Sequence, residues 1–232
     1  MGKDVIIACD FPDRRELLGF LDKLEGRTPY LKIGMELFYA LGPAAVGELK
    51  SRGCRVFLDL KLHDIPNTVK RAMAVLADLG ADMVNVHAAG TRAMMEAALE
   101  GLSQGSGPRP LLLAVTQLTS TDQAALEKEL LIQRPMGEVV EHYAKNAAAA
   151  GLDGVVCSPL EAAAVHAACG NGFLTVTPGI RFPEGETGDQ KRVMSPERAK
   201  AAGSDYIVVG RPITRAGDPA AAYERCLREF VG

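Results

Sequence analysis

The sequence predicts a (β/α)8 TIM barrel of the α/β class, with residues 1–232 forming a single domain. Three observations point there. Short apolar runs alternate with amphipathic helical patterns along the whole chain, which implies a parallel sheet covered by helices. Eight such units fit within 232 residues, close to what a barrel of this kind needs. Charged residues collect just after the apolar runs, where a barrel carries its chemistry. An open doubly wound sheet is the alternative. No G-x-G-x-x-G follows the first run, which counts against it.

The first run, Val5–Ala8, is followed by a helical pattern over Arg14–Leu24. The second, Leu31–Ile33, precedes a helix from about Pro43, a good first-turn residue, to Arg52. The third begins at Val56-Phe57-Leu58 and runs out at Ile65-Pro66, because proline ends strand pairing. Its helix starts near Asn67 or Thr68 and carries the stripe Ala72, Val75, Leu76, Leu79 up to Gly80. The fourth is Met83–His87, with a helix over Thr91–Gly101. The fifth is Leu111–Val115, separated by the insertion Thr119–Arg134 from a helix over Pro135–Ala150. Gly154–Cys157 precedes a helix over Pro159–Cys169. Phe173–Thr177 is followed by a polar loop, Pro178–Met194, and a helix over Pro196–Ala202. Tyr206–Val209 is the eighth run, and a helix over Pro219–Phe230 ends the pattern.

Composition narrows the function. The net charge is −3 with no basic run, and there is no Trp, so neither an electrostatic footprint nor a stacking platform for nucleic acid is present. No apolar run approaches the ~18 residues of a membrane helix, and the N-terminus lacks a signal-peptide layout. Five cysteines, an odd number without C-x-x-C spacing, fit a reduced, cytoplasmic protein. Cys9 and Cys157 fall inside apolar runs and read as small core residues.

The strand ends carry the chemistry. Asp10 follows the first run and Lys32 lies on the second. Asp59 and Lys61, two apart, share a strand face, with Asp64 on the turn beyond. Lys32, Asp59, Lys61 and Asp64 would then face one mouth in alternating sign, each keeping the others ionised. The bland alternative is a surface salt bridge. Gly179 with Arg181 and Gly210 with Arg211 follow the seventh and eighth runs, where barrels commonly hold a phosphate. The loop between them, residues 181–190, reads as a lid or as a mobile loop without a task. His87 could be a base or a metal ligand, but a packed, hydrogen-bonded role is the expectation. His142 and His166 fall in helices and look structural or exposed.

These residues resemble a known family. The run DLKLHDIPNT, with its D-x-K-x-x-D core, is similar to the signature of orotidine 5′-phosphate decarboxylases in their short bacterial form. Asp10, Leu31–Gly34, Val115–Ser120, Thr177–Arg181, Gly188–Gln190 and Val209–Pro212 resemble further blocks of the family, in order. The resemblance implies decarboxylation of orotidine 5′-monophosphate to UMP in de novo pyrimidine synthesis, with no metal and no cofactor. Lys61 would deliver a proton to C6 of the pyrimidine, and Asp59 would lie against the substrate carboxylate. Lys32 would hold Asp59 and Asp64 and touch the ribose. Asp10 would bind a ribose hydroxyl and Thr119 the ring. Arg211 and the Gly210 backbone would grip the phosphate, with Arg181 nearby and Gln190 bridging lid, phosphate and ring. The active form would be a homodimer in which Asp64, Ile65 and Thr68 reach the partner's site. Rival readings are a magnesium-dependent sugar-phosphate decarboxylase or hexulose-phosphate synthase, a non-catalytic phosphate-binding barrel, and a Schiff-base aldolase.

Overall fold

The computed structural model describes residues 3–184 and 193–232. Eight parallel strands close on themselves in chain order: β1 (Asp4–Cys9), β2 (Tyr30–Gly34), β3 (Arg55–Leu62), β4 (Met83–His87), β5 (Leu111–Val115), β6 (Gly154–Val156), β7 (Leu174–Thr177) and β8 (Tyr206–Val209). Closure is made by β1 against β8, with Asp4 opposite Tyr206 and Ile7 opposite Val209. The helices are α1 (Arg14–Asp22), α2 (Met35–Leu41), α3 (Ala44–Ser51), α4 (Pro66–Ala77), α5 (Thr91–Leu102), α6 (Gln123–Lys128), α7 (Met136–Ala149), α8 (Ala162–Cys169), α9 (Pro196–Ala201), α10 (Arg211–Thr214) and α11 (Pro219–Phe230).

All eight expected strands form, with ends shifted by a few residues, and the barrel is closed rather than open. Three helices were not expected. α2 follows Gly34 directly, α6 lies inside the insertion read as loop, and α10 follows Gly210. α6 has a clear local cause: Asp122 accepts from the Ala125 amide at 2.9 Å and so satisfies a free N-terminal donor. The expected helix over Pro159–Cys169 begins instead as a 3-10 turn, Pro159–Glu161, capped reciprocally by Ser158 and Glu161.

Strand periodicity divides the interior into two layers. Ile6, Ala8, Tyr30, Phe57, Met83, Leu113, Leu174, Val176, Tyr206 and Val208 form one buried cluster. Their strand neighbours Val5, Ile7, Leu31, Val56, Leu58, Val84 and Ile207 join a second, larger cluster with the helices. The first set fills the barrel and the second seals it. By the same period of two, Lys32, Asp59 and Asn85 fall on the lumen side, one step beyond Tyr30, Phe57 and Met83 toward the C-terminal mouth. All five cysteines are free thiols, with Cys9 and Cys157 buried as expected.

Candidate active site

The C-terminal mouth of the barrel opens into a cavity of about 770 Å³. Its lining includes Asp10, Lys32, Asp59, Lys61, Thr119, Arg181, Gly210 and Arg211, brought together from six strand ends. Ala8, Phe57, Val115, Val156 and Val208 supply an apolar floor.

The charged residues make one chain of contacts. Lys61 Nζ lies 2.7 Å from Asp59 Oδ1. Lys32 Nζ lies 3.3 Å from Asp59 Oδ2 and 3.2 Å from Asp10 Oδ1. Burial pushes the Asp59 carboxyl up, but Lys32, Lys61 and the donors from Lys61 and Asn85 outweigh it and hold it below the usual carboxylate range. Burial pulls Lys32 down, and the facing Asp59 and Asp10 overcome this, so its ammonium is held above its ordinary value. The mouth therefore carries ionised groups of alternating sign.

The pairing of Asp59 with Lys61 arises differently from simple alternation. Leu58 pairs with Val84 and Leu62 with Val86, so Asp59, Leu60 and Lys61 lie opposite Asn85 alone. This irregularity places Lys61 at φ 51°, a left-handed conformation that costs a non-glycine residue about 1–3 kcal/mol. Its N–H donates to Asn85 Oδ1 at 2.8 Å. Asn85 Nδ2 donates to Asp59 Oδ1 at 2.7 Å. Asn85 passed unremarked in the sequence, although a polar residue inside the apolar run Met83–His87 was a usable signal.

Within this single chain Lys32 is paired with Asp10 and Asp59, and Asp64 lies apart from them. The chain turns outward after Leu62, and Pro66 opens α4. Asp64 is exposed, with Oδ1 accepting from the Ile65 amide at 2.6 Å. Ile65 is 67% exposed, and Thr68 is exposed as well. None of these three lines the cavity.

At the opposite side, Gly179 has φ +84°, a value that favours glycine, and its carbonyl accepts from the Met194 amide at 3.1 Å. The Arg181 amide returns a bond to the Met194 carbonyl at 3.0 Å, tying the two bases of the long loop together. The Arg181 guanidinium donates to the Ile180 carbonyl at 2.8 Å while lining the cavity. Phe182 stacks under the Arg225 guanidinium at 3.9 Å, and Glu184 pairs with the same arginine. Gln190, most of the expected lid and the block Gly188–Gln190 lie outside the described residues.

Thr119 is buried against the cavity. Thr116 instead donates to the Val156 carbonyl at 3.1 Å and ties β5 to β6. His87 is half-buried, its ring 5.7 Å from that of His63. Burial, then the nearby His63 and Lys61, lower its pKa, which favours a packed neutral ring. Among the described residues no hydrogen bond reaches its ring, which is held by packing. His166 sits 3.0 Å from Asp205 at the far end of the barrel, and His142 contacts Asn146 on the helix surface. Among the described residues no group of three or more His, Cys, Asp or Glu could hold a metal ion.

Comparison with known proteins places the whole chain in a family. The family model described as "Orotidine 5'-phosphate decarboxylase / HUMPS family" matches residues 3–226. A relative named orotidine 5'-phosphate decarboxylase, from Bacillus caldolyticus, is 57% identical over 100% of this chain and 96% of its own length. One of the same name from Geobacillus thermodenitrificans is 55% identical over 100% of this chain and 98% of its own. The crystal structure of orotidine 5'-phosphate decarboxylase from Lactobacillus acidophilus superposes with a TM-score of 0.89 at 44% identity, covering 99% of this chain and 100% of that one. A closed barrel with acids and lysines interleaved at its mouth, matched from residue 3 to residue 226, thus belongs to the orotidine 5'-phosphate decarboxylase / HUMPS family.

Proposed function

We propose that this chain converts orotidine 5′-monophosphate to UMP and carbon dioxide in pyrimidine biosynthesis, without metal or cofactor, as a cytoplasmic homodimer. The observation that carries the reading is the Asp59–Lys61 pair, 2.7 Å apart on the wall of the cavity and continued by Lys32 and Asp10. The substrate named for the relatives gives that pair a task.

Lys61 is the proton donor to C6. Its ammonium also stabilises the negative charge that grows on that carbon as the carboxylate leaves, an effect strongest in a closed site of low dielectric. Asp59 lies against the substrate carboxylate, and the repulsion between them falls as carbon dioxide departs. Lys32 keeps Asp59 ionised and oriented and reaches the ribose, where Asp10 accepts from a hydroxyl. Thr119 bonds the pyrimidine. Arg211, Arg181 and the Gly210 backbone take the phosphate, with Gln190 as the bridge between loop and ligand. Binding energy collected at the phosphate, far from C6, is then expressed in the transition state.

Exposed Asp64, Ile65 and Thr68 are the residues that complete the site of a second copy. Free thiols and the absence of any helix long and apolar enough to cross a membrane, among the described residues, agree with the cytoplasm. A cation at the mouth would compete with the Lys32 ammonium, which already lies between the two acids.

The test is the fall in ultraviolet absorbance on adding orotidine 5′-monophosphate. Turnover is expected with and without chelator. Lys61→Ala should lower kcat by about 10³-fold or more while UMP still binds. Loss of activity with chelator would favour the magnesium-dependent relatives, and unchanged turnover in Lys61→Ala would refute the role given to Lys61.

A further inference from the structure

We propose that Asn85 is a positioning residue that sets the proton-donating amine, by holding both the backbone of Lys61 and the carboxylate of Asp59. The inference rests on the reading of Lys61 as proton donor and adds a residue that does not line the cavity.

Three features single out Asn85. It is only 1% exposed, on the lumen side of β4, one step beyond the apolar Met83 and beside the buried Asp59. It is the single β4 residue opposite the three-residue irregularity of β3. Both functional groups of its amide are used: Oδ1 accepts the Lys61 N–H at 2.8 Å, and Nδ2 donates to Asp59 Oδ1 at 2.7 Å.

The chemistry demands this residue type. Where β3 departs from ladder register, the Lys61 N–H needs an acceptor other than a β4 carbonyl, because a buried unpaired donor is costly. The side-chain oxygen of Asn85 supplies it and supports the left-handed φ of 51°. The same side chain needs a donor for Asp59, which an aspartate cannot offer when ionised. Asp59 Oδ1 thus receives Lys61 Nζ and Asn85 Nδ2 together, each at 2.7 Å. The ammonium is aimed from two directions, by its own backbone and by its counter-ion, and one amide fixes both. Placement errors of about 1 Å cost on the order of 100-fold in rate, so such a brace acts on catalysis without touching substrate.

The experiment compares wild type, Asn85→Ala and the near-isosteric Asn85→Asp in steady-state decarboxylation across pH, with UMP affinity measured by calorimetry on the same preparations. For both variants kcat should fall about 100-fold, with KM and UMP affinity within about threefold. In Asn85→Ala the acid limb of the kcat profile should move to higher pH, because Asp59 has lost a donor that favours its charged form. Folded variants with kcat within threefold of wild type would overturn the proposal. So would a parallel loss of kcat and UMP affinity with an unmoved acid limb, or failure of both variants to fold, since each marks a purely architectural role. A wild type that does not turn over orotidine 5′-monophosphate would instead defeat the functional reading itself.

Discussion

Replacing Asp59 with Asn tests whether the charged chain at the mouth stabilises the fold as well as serving the proposed reaction. The Asp59 side chain is 9% exposed and Lys32 12%, while Lys61 keeps 24%. An amide preserves the shape but presents one donor face, so either Lys32 or the Lys61–Asn85 side meets an N–H₂ in place of an oxygen. Lys32 then keeps only Asp10, whose side chain is 60% exposed. Breaking a buried ion pair by removing one partner costs about 3–5 kcal/mol. Here Lys61 is partly solvated and Lys32 retains an acid, so a loss of about 2–3 kcal/mol is expected. For a chain of this length that corresponds to a fall in Tm of about 4–12 °C. The pH dependence has a definite sign. Asp59 is held below the usual carboxylate range, so its contribution is present above the unfolded value of about 3.9 and is lost as pH falls further. The gap between wild type and Asp59→Asn should be flat from about pH 6 to 8 and should narrow below about pH 4. Denaturant unfolding of ligand-free protein, at one fixed concentration, measures both. A more stable variant at neutral pH would refute the reasoning and mark the charged chain as strain carried for function. A gap that widens on acidification would refute the assignment of the effect to Asp59.

Two further outcomes are expected. Arg211→Ala should raise KM for orotidine 5′-monophosphate by about 10- to 150-fold, the equivalent of one charge-assisted bond to phosphate, and a change confined to kcat would contradict its role. Ile65→Asp should weaken self-association and make specific activity fall on dilution, followed by sedimentation and rate on the same samples; undiminished activity in a dilution-stable monomer would refute the shared site.

Most of the barrel was legible because a period of two in the strands and the stop residues between units are local signals. The same period placed Asp59 on the lumen and left Lys32, at the end of an apolar run, as an evident exception to its surroundings. The helix Met35–Leu41 was missed because Gly34 reads as a stop, while the chain passes from strand to helix without a loop. The helix Gln123–Lys128 was hidden in a polar insertion, although Asp122 ahead of it is an N-cap signature. The site was harder to read where it depends on partners distant in sequence. Asp64 follows Lys61 so closely that both seemed bound for one mouth, yet the turn into Pro66 carries it outward. The left-handed lysine had no signal of its own, since only the pairing of Leu62 with Val86 across the irregularity reveals it.

The seam between β1 and β8 joins residues roughly two hundred positions apart. Asp10 stands at one lip of that seam and Gly210 with Arg211 at the other. During synthesis the first strand must wait for nearly the entire polypeptide before it finds its neighbour, and such distant pairing forms late. The half of the mouth formed by Asp10, Gly210 and Arg211 therefore has no existence in a nascent chain that stops short of Tyr206, whose first and seventh strands are left as open edges. Any ligand that bridges the two lips favours the zipped ring over the gaping one, so nucleotide should protect this junction from opening more than any other in the molecule.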